Sequence, residues 1–210
     1  MAIELHDYLH KMMERGFQYP NEQGKFLVRP IVPEDRSVLD AAFRELTPKS
    51  KYLRFFQSSE RLSQYQLDYL SNPDGENHVA WGILDTTFKP HKGVCAMRFI
   101  RLKDNPEVAE VAITVIDSYQ GQGLSKVAFS VMNILASELG IKRFRHHVLH
   151  QNSVANASLL KLGIINSKVE SGVYIKETPV FSSAKEISDH AQLSGLRKTM
   201  MYVQRKLKET

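Results

Sequence analysis

Residues 115–125 read Val-Ile-Asp-Ser-Tyr-Gln-Gly-Gln-Gly-Leu-Ser, and this stretch decides the fold. The apolar, β-branched run that ends at Ile116 predicts a strand leading into a turn that carries Gly121 and Gly123. Apolar residues then recur at helical spacing, so a helix should begin directly after the turn. A strand, a glycine turn and a helix start aim several backbone N–H groups at one spot, where the helix dipole adds positive potential. The sequence therefore predicts a site for a phosphate or pyrophosphate at residues 121–126.

Spacing excludes two well-known phosphate loops. A P-loop requires Lys after its second glycine, but Gly123 is followed by Leu124. A dinucleotide-binding loop requires a third glycine where this chain has Lys126. The remaining pattern is Gln120-x-x-Gly123-x-Ser125, and a β-turn-α connection without any ligand is the alternative for this segment.

A second motif follows after one predicted helix, a short turn and one predicted strand. Asn152 ends that strand, Ala155 follows, and Lys161-Leu162-Gly163 closes the motif. In this order the two motifs resemble those of the GCN5-related N-acetyltransferase (GNAT) family. That family has Gln/Arg-x-x-Gly-x-Gly/Ala in its acyl-CoA loop, and later Asn, a small residue and Lys-Leu-Gly-Phe. The departures are Ser125 for glycine or alanine, and Ile164 for the aromatic residue.

The N-terminal part narrows the resemblance. Residues 28–35 and 46–56 are similar to the start of the bacterial protein-lysine acetyltransferase branch of that family. The second of these segments reads Leu-Thr-Pro-Lys-Ser-Lys-Tyr-Leu-Arg-Phe-Phe. The branch carries a segment resembling Leu-Ser-Pro-x-Ser-x-Tyr-x-Arg-Phe-Phe.

The resemblance implies an α/β (α+β) fold of the GNAT type, with a mixed, mostly antiparallel central sheet flanked by helices. We expect an N-terminal helical extension at 1–20, the acetyltransferase domain at 21–180, and a C-terminal helix at 181–210 packed on it. Periodicity predicts a helix at 3–15, a turn-rich segment at 16–24 and helices between Pro33 and Leu70. One of these helices should begin at Thr47-Pro48, and another at a capping box formed by Ser63 and Gln66. It further predicts strands at 25–31, 77–85, 91–102, 107–116, 143–149, 164–168 and 172–178, and helices at 122–139, 153–162 and 184–207.

The same resemblance implies acetyl-CoA as co-substrate and no metal. Main-chain amides at 121–126 would hold the pyrophosphate, with Lys126 as an added cation. Backbone groups of Ile113 and Val115 would hold the pantetheine amides. Asn152 would bind the pantetheine arm, cap the helix at 153–162, or do both. The implied cofactor-binding residues are Ile113, Val115, Gln120, Gly121, Gln122, Gly123, Leu124, Ser125, Lys126 and Asn152.

Acetyl transfer to an amine requires a neutral nitrogen, whereas a free lysine amine titrates at about 10.4, so a general base is needed. The resemblance assigns that role to Glu110, through the pattern Ala-Glu-x-Ala-x-x-Val at 109–115. Strand alternation puts Glu110, Ala112 and Thr114 on one face. The alternative for Glu110 is an exposed edge carboxylate, and Glu107 is the second candidate base.

Other residues give little indication of a catalytic or metal-binding role. Many family members have a tyrosine seven residues after the motif asparagine, but this chain has Leu159, so we expect water to protonate the leaving thiolate. Cys95 has no fixed histidine partner, and His146 and His147 point to opposite faces of a strand, which argues against a metal site. The aromatic-rich segment 52–69 predicts core packing, with a wall of the acceptor pocket as the alternative.

Composition restricts partners and location. The chain has 28 Lys and Arg against 23 Asp and Glu, a net charge of +5, without the basic, aromatic-interleaved runs of nucleic-acid binders. No apolar stretch is long enough for a membrane span, and the N-terminus lacks a signal-peptide core. A single cysteine fits a reducing compartment, so we expect a cytoplasmic protein that binds neither nucleic acid nor membrane.

The sequence thus predicts an acetyl-CoA-dependent N-acetyltransferase that acts on a primary amine by direct attack in a ternary complex. The acceptor is a protein lysine or a small amine. A non-catalytic acyl-CoA-binding sensor or regulatory module is the first alternative, and an unrelated binder of nucleotide phosphates is the second.

Overall fold

In a computed structural model of the protein, the described residues are 16–21, 24–56, 59–187 and 191–209. They contain one eight-stranded sheet in the order β1-β2-β3-β4-β5-β6-β8-β7. Neighbouring strands are antiparallel except for β5 and β6, which run parallel. The predicted α/β class with a mostly antiparallel sheet is confirmed. The strands are β1 (Phe17–Asn21), β2 (Gly24–Pro30), β3 (His78–Asp85), β4 (Lys92–Leu102), β5 (Asn105–Val115), β6 (Arg143–Leu149), β7 (Asn166–Glu170) and β8 (Val173–Pro179).

Six α-helices lie within the described residues, and two of them begin at caps that the sequence predicts. Thr47 Oγ1 accepts a hydrogen bond from the Ser50 amide at 3.2 Å, with Pro48 at the first helical position. Ser63 and Gln66 form a capping box with bonds of 3.1 and 2.9 Å. The helices are α1 (Arg36–Arg44), α2 (Pro48–Phe55), α3 (Gln64–Ser71), α4 (Leu124–Glu138), α5 (Ser153–Lys161) and α6 (Ser194–Glu209).

Different helices cover the two faces of the sheet. On one face, the Phe144 ring of β6 lies 6.0 Å from Phe99 of β4 and 6.4 Å from Phe129 of α4. On the other face, Arg54 of α2 donates from Nε to Thr114 Oγ1 of β5 at 3.0 Å. Because strand residues alternate, the even-numbered residues of β5 all lie on the face that α1 and α2 cover.

The sheet begins earlier than the sequence predicts. The segment 16–24, predicted as turn, contains strand β1, which pairs antiparallel with β2. Phe17 is buried in the core, and Tyr19 meets Tyr202 of α6 edge-on with ring centroids 5.4 Å apart. Burial of Phe17 and packing of the partly buried Tyr19 on α6 outweigh the turn propensity of the flanking glycines. The helix predicted at 3–15 lies outside the described residues.

Two further predictions differ from the structure. The last helix begins at Ser194 instead of residue 184, because the preceding segment folds into a turn in which the Ser182 amide donates to Glu186 Oε2 at 2.9 Å. The core prediction for segment 52–69 is wrong for most of its aromatic residues. Phe55 packs against the core, whereas the aromatic side chains that are exposed are Tyr52, Phe56, Tyr65 and Tyr69.

The C-terminal helix belongs to the main core. Along α6 the apolar residues Leu196, Met200, Val203 and Leu207 are all buried. The Tyr202 hydroxyl also donates to the backbone oxygen of Gln18 at 3.1 Å, which joins α6 to β1. The division of the chain at residues 20 and 180 stays a prediction.

Candidate active site

A notch opens between β5 and β6. The two strands pair only from Val108 to Glu110, where Glu110 stands opposite Arg145. Beyond that pair β5 continues to Val115 alongside β4, and β6 continues to Leu149 alongside β8. Parallel strands that separate in this way leave an unpaired edge on each side, with the loop after β5 at the open end. The sequence could not reveal this separation.

The loop after β5 presents a run of free backbone donors. The amides of residues 121–125 donate to no atom of any described residue, whereas the Gln120 amide bonds Asp117 O at 3.2 Å. The Lys126 amide donates to Gly123 O at 2.9 Å, so the predicted donor range of 121–126 is one residue too long. Five consecutive free N–H groups at the start of a 15-residue helix are an arrangement suited to binding an anion.

Two glycines give this loop its shape. Gly121 and Gly123 have φ values of +80° and +82°, in the left-handed region that strains residues with a side chain. No atom lies within 4 Å of the position that a Cβ would take on either residue. The glycines are therefore required by backbone conformation, and the space beside them is open.

Asp117 fixes the loop to α2. Its carboxylate accepts hydrogen bonds from the Thr47 amide at 3.0 Å, the Thr47 hydroxyl at 3.0 Å and the Ser50 hydroxyl at 2.7 Å. Burial works to raise the pKa of Asp117, but these bonds outweigh it and hold the pKa below its ordinary value. Asp117 was not predicted from the sequence, although the Thr-Pro-Lys-Ser segment at 47–50, on which the resemblance to the branch rests, contains both partners.

Tyr119 fixes the loop to β3. Its hydroxyl donates to Asp85 Oδ2 at 2.7 Å. Burial and the hydrogen bond to Asp85 raise the pKa of Tyr119 to about 12, so the phenol remains a donor at neutral pH. The loop is therefore held at two points before its glycines, which orders the free amides in advance of any ligand.

The other predicted loop residues are placed as follows. Gln120 Nε2 donates to Val115 O at 3.3 Å, and Gln122 Nε2 donates to Ser118 O at 3.4 Å. Gln122 Oε1 is buried and has no partner among the described residues. The Leu124 side chain is in the core, so only its amide faces the loop, whereas the Ser125 and Lys126 side chains are exposed.

The residues predicted to hold the pantetheine arm lie on the two sides of the notch. Ile113 and Val115 belong to the edge of β5 that β6 has left, and their side chains pack against the core. Asn152 follows β6, and its Oδ1 accepts the Ala155 amide at 3.1 Å. Asn152 is therefore a helix cap, as one of its two predicted uses requires.

Glu110 stands at the apex of the notch. It is the last residue of β5 that pairs with β6, and its side chain is 42% exposed. Arg145, which stands opposite Glu110 in the sheet, donates to Glu177 Oε1 at 2.8 and 3.0 Å instead. The Glu110 carboxylate is thus accessible and not consumed by a salt bridge to arginine.

His147 and Glu107 differ in their distance from this apex. His147 Nδ1 lies 3.9 Å from Glu110 Oε1, a proximity that the sequence analysis missed because it depends on the pairing of β5 with β6. Glu107 is exposed and precedes the paired segment, at the end of β5 away from the notch. The geometry therefore favours Glu110 over Glu107 as a base.

Three other residues take structural roles. Leu159 is buried, so no side-chain acid is available at the position where relatives have tyrosine. His146 is buried against Thr178 Oγ1 at 2.9 Å, and burial lowers its pKa to about 4. Burial raises the pKa of the Cys95 thiol, which leaves it unreactive.

The described residues contain no cluster of three or more His, Cys, Asp or Glu side chains that could hold a metal ion. No described helix has both the length and the apolar character needed to cross a membrane.

Comparison with known proteins gives relatives but no family model, since none matches the chain. The chain is 30% identical over 155 residues to the acetyltransferase Pat of Mycolicibacterium smegmatis, which covers 74% of this chain and 46% of the relative. The chain thus spans about half the length of the curated relative that it matches.

Solved structures of acyltransferases are also similar to this chain. The GNAT domain of S. lividans PAT is 26% identical, has a TM-score of 0.70, and is covered over 96% of its length by 78% of this chain. A cAMP-binding acyltransferase from Mycobacterium smegmatis is 24% identical with a TM-score of 0.56, and covers 98% of this chain and 59% of its own. The second likeness concerns the fold alone.

Proposed function

The chain belongs to the GCN5-related N-acetyltransferase family, and we propose that it transfers the acetyl group of acetyl-CoA to a primary amine by direct attack in a ternary complex. The observation that carries the proposal is the notch between β5 and β6. It has a carboxylate at its apex and five free amides at its open end. A long, thin ligand with a diphosphate at one end and a reacting atom at the other matches these two features.

In this proposal the amides of residues 121–125 bind the pyrophosphate of the coenzyme. The edge of β5 at Ile113 and Val115 holds the pantetheine arm, and the thioester lies near Glu110. The free backbone donors at a helix start supply positive potential without a metal ion. Lys126 is the added cation of this proposal. Its side chain lies against Gly195 of α6, with Nζ 3.0 Å from the position that a Cβ on Gly195 would take.

The chemical step needs one proton acceptor and one proton donor. Glu110, directly or through a water molecule, takes a proton from the acceptor ammonium, and the neutral nitrogen attacks the thioester carbonyl carbon. The new C–N bond forms as the C–S bond breaks, the nitrogen releases its second proton to water, and the thiolate of coenzyme A leaves. Water protonates that thiolate, because the buried Leu159 offers no acid.

The acceptor is a primary amine of a protein lysine or a small molecule. The names of the relatives, acetyltransferase Pat and the GNAT domain of PAT, support acetyl transfer in general. A cytoplasmic location and the absence of nucleic-acid and membrane partners stay predictions. A sensor that binds acyl-CoA without turnover is the alternative.

The test compares two glutamates on one strand. Labelled acetyl-CoA is supplied with lysine peptides and with a panel of small primary amines, to the parent, Glu110→Gln and Glu107→Gln. We expect Glu110→Gln to lower kcat/KM near pH 7 by about 10²–10⁴-fold, the typical contribution of a general base. Calorimetry should show unchanged affinity for acetyl-CoA, and Glu107→Gln should keep the parent rate.

The outcomes separate the alternatives. Equal rates for Glu110→Gln and the parent would remove Glu110 from the mechanism. Tight binding of acetyl-CoA by the parent without transfer to any amine would favour the sensor. Protection from heat by ATP or NAD but not by coenzyme A would indicate an unrelated nucleotide binder.

A further inference from the structure

A cavity of about 70 Å³ lies between the sheet and helices α1 and α2. Thr114 of β5 is part of its wall, so the cavity and the notch share this strand. The wall is mostly apolar, yet three arginines also line it, Arg29, Arg54 and Arg98. Because a guanidinium group is costly to bury without a partner, each of the three needs an explanation.

The position of Arg29 in the cavity wall is explained by its ion pair with Asp35. Its Nη1 and Nη2 donate to the two carboxylate oxygens of Asp35, each at 2.6 Å. This bidentate pair raises the pKa of Arg29. Among the described residues, no carboxylate forms such an ion pair with Arg54 or Arg98.

Arg54 keeps its terminal nitrogens available. Its Nε donates to Thr114 Oγ1 at 3.0 Å, and its Cζ lies 5.0 Å from the centre of the Phe55 ring. Neither Nη1 nor Nη2 donates to any described residue. The two contacts therefore hold the guanidinium group in place. Its two terminal nitrogens, which can bind a carboxylate together, remain available.

Arg98 has only neutral partners in the described part of the chain. It is 6% exposed, and its Nη1 lies 3.1 Å from His78 Nε2. Burial and the charge of Arg98 lower the pKa of His78 to about 4, so the imidazole is neutral at pH 7 and accepts the bond. The remaining contact, from Nη2 to Leu70 O, is 3.5 Å long and weak.

The two guanidinium groups repel one another, and both carry a positive charge because arginine keeps its proton in proteins. Burial lowers the pKa of both, and the charge of Arg54 helps to lower that of Arg98 to about 10. Glu110 acts on Arg54 in the opposite direction. The two positive charges thus act on one another, and the Glu110 carboxylate acts on that of Arg54. One further negative charge would balance the pair.

Building on the proposed acetyl transfer, we propose that Arg54 and Arg98 form a binding site for a carboxylate carried by the substrate. Arg98 is in register with Ala112, two residues or about 7 Å along β5 from Glu110. A carboxylate held there would lie a few bonds from an atom reacting beside Glu110. The carboxylate belongs either to the amine acceptor or to the acyl group of the thioester.

The experiment uses matched pairs that differ by one carboxylate. For the acceptor, ω-amino acids are compared with alkylamines of equal chain length, with acetyl-CoA as donor. For the acyl group, succinyl-CoA is compared with butyryl-CoA, by calorimetry and by transfer to a simple amine. We expect the carboxylated member of one pair to be favoured by tenfold or more, as charge-assisted hydrogen bonds in a buried site provide.

Three variants connect that preference to the two arginines. Arg54→Gln should lower the preference at least tenfold, and so should Arg98→Lys, which keeps the charge but loses the planar fork. Lys49→Gln removes a positive charge from an exposed position of the same helix α2 and should keep the preference. Thermal unfolding of each variant shows whether it is folded.

The arm of the experiment in which the preference appears identifies the source of the carboxylate. Acetyl transfer without preference for either carboxylated probe would overturn the carboxylate site while the proposed function stands. A preference that survives in both arginine variants would overturn it as well. Absence of transfer to every amine, with no difference in affinity between the two thioesters, would contradict both proposals.

Discussion

At the scale of single residues, the proposed coenzyme site depends on main-chain amides. A side chain in the loop affects binding mainly when its bulk or charge hinders the approach of the diphosphate. Gly123 is a poor position for testing this idea, because its φ of +82° would strain any replacement and so confuse lost binding with a distorted loop. Ser125 is better, because it is exposed in the first turn of α4 and has an ordinary helical backbone.

We predict that Ser125→Glu abolishes acetyl-CoA binding while the fold persists. A carboxylate in the first turn is favourable for the helix itself but repels a diphosphate bound at the free amides. Calorimetry should show affinity reduced at least 100-fold, and thermal unfolding should show no loss of stability. The neutral control Ser125→Gln should bind far more tightly than Ser125→Glu, and equal affinities of the two variants would contradict the assignment.

The sequence predicted Glu110 through the resemblance of residues 109–115 to the family pattern, and strand alternation predicted the face on which it lies. It did not predict the proximity of His147 or the buried arginines at the cavity. Their neighbours come from strands and helices distant in sequence, and no local period contains that information. Asn152 shows the opposite case, because a capping role depends only on the next three residues.

At the scale of elements, Asp117 connects the loop to the start of α2, and its loss should loosen both. We predict that Asp117→Asn lowers the free energy of unfolding by about 1–2 kcal/mol, since charge-assisted hydrogen bonds become neutral ones. Urea unfolding at pH 7 measures this change. Asp104→Asn, in an exposed turn, is the control and should change the free energy little.

The pH dependence of this contribution has a defined direction. The folded-state pKa of Asp117 is below its ordinary value of 3.8, so the stabilisation is present above that pH. It is lost as pH falls below 3.8 through the folded-state value. A difference between parent and Asp117→Asn that stays constant down to pH 2 would contradict the role of the carboxylate.

Elements defined by local chemistry were predicted well. The caps at Thr47 and Ser63 and the helix after Gly123 follow from a few neighbouring residues. Strand β1 was missed, because glycines and a proline around it resemble a turn and only its pairing with β2 and α6 makes it a strand. The separation of β5 from β6 likewise depends on pairing between distant segments, so only the family resemblance implies it and no local pattern does.

At the scale of the whole molecule, two buried histidines should make stability sensitive to mild acid. The folded-state pKa values of His78 and His146 are both lowered to about 4, chiefly by burial. Between their ordinary value of 6.5 and pH 4, the unfolded chain binds more protons than the folded one. Unfolding therefore becomes easier as pH falls through this range.

We predict that the free energy of unfolding falls from pH 6.5 to pH 4 by up to about 1.4 kcal/mol per pH unit for each of the two histidines. Urea titrations at several pH values measure the slope. His146→Gln should remove its share of the slope and leave that of His78, whereas replacement of the exposed His91 by glutamine should leave the slope unchanged. A parent protein whose stability is constant over this range would refute the prediction.

The central claim is that the free amides of residues 121–125 bind the diphosphate of coenzyme A. The most direct measurement is the amide spectrum of the ¹⁵N-labelled, 24.0 kDa chain during titration with acetyl-CoA. The account predicts that these five resonances shift most, with saturation at the calorimetric affinity. Binding of acetyl-CoA that leaves them unmoved while other amides shift would contradict it.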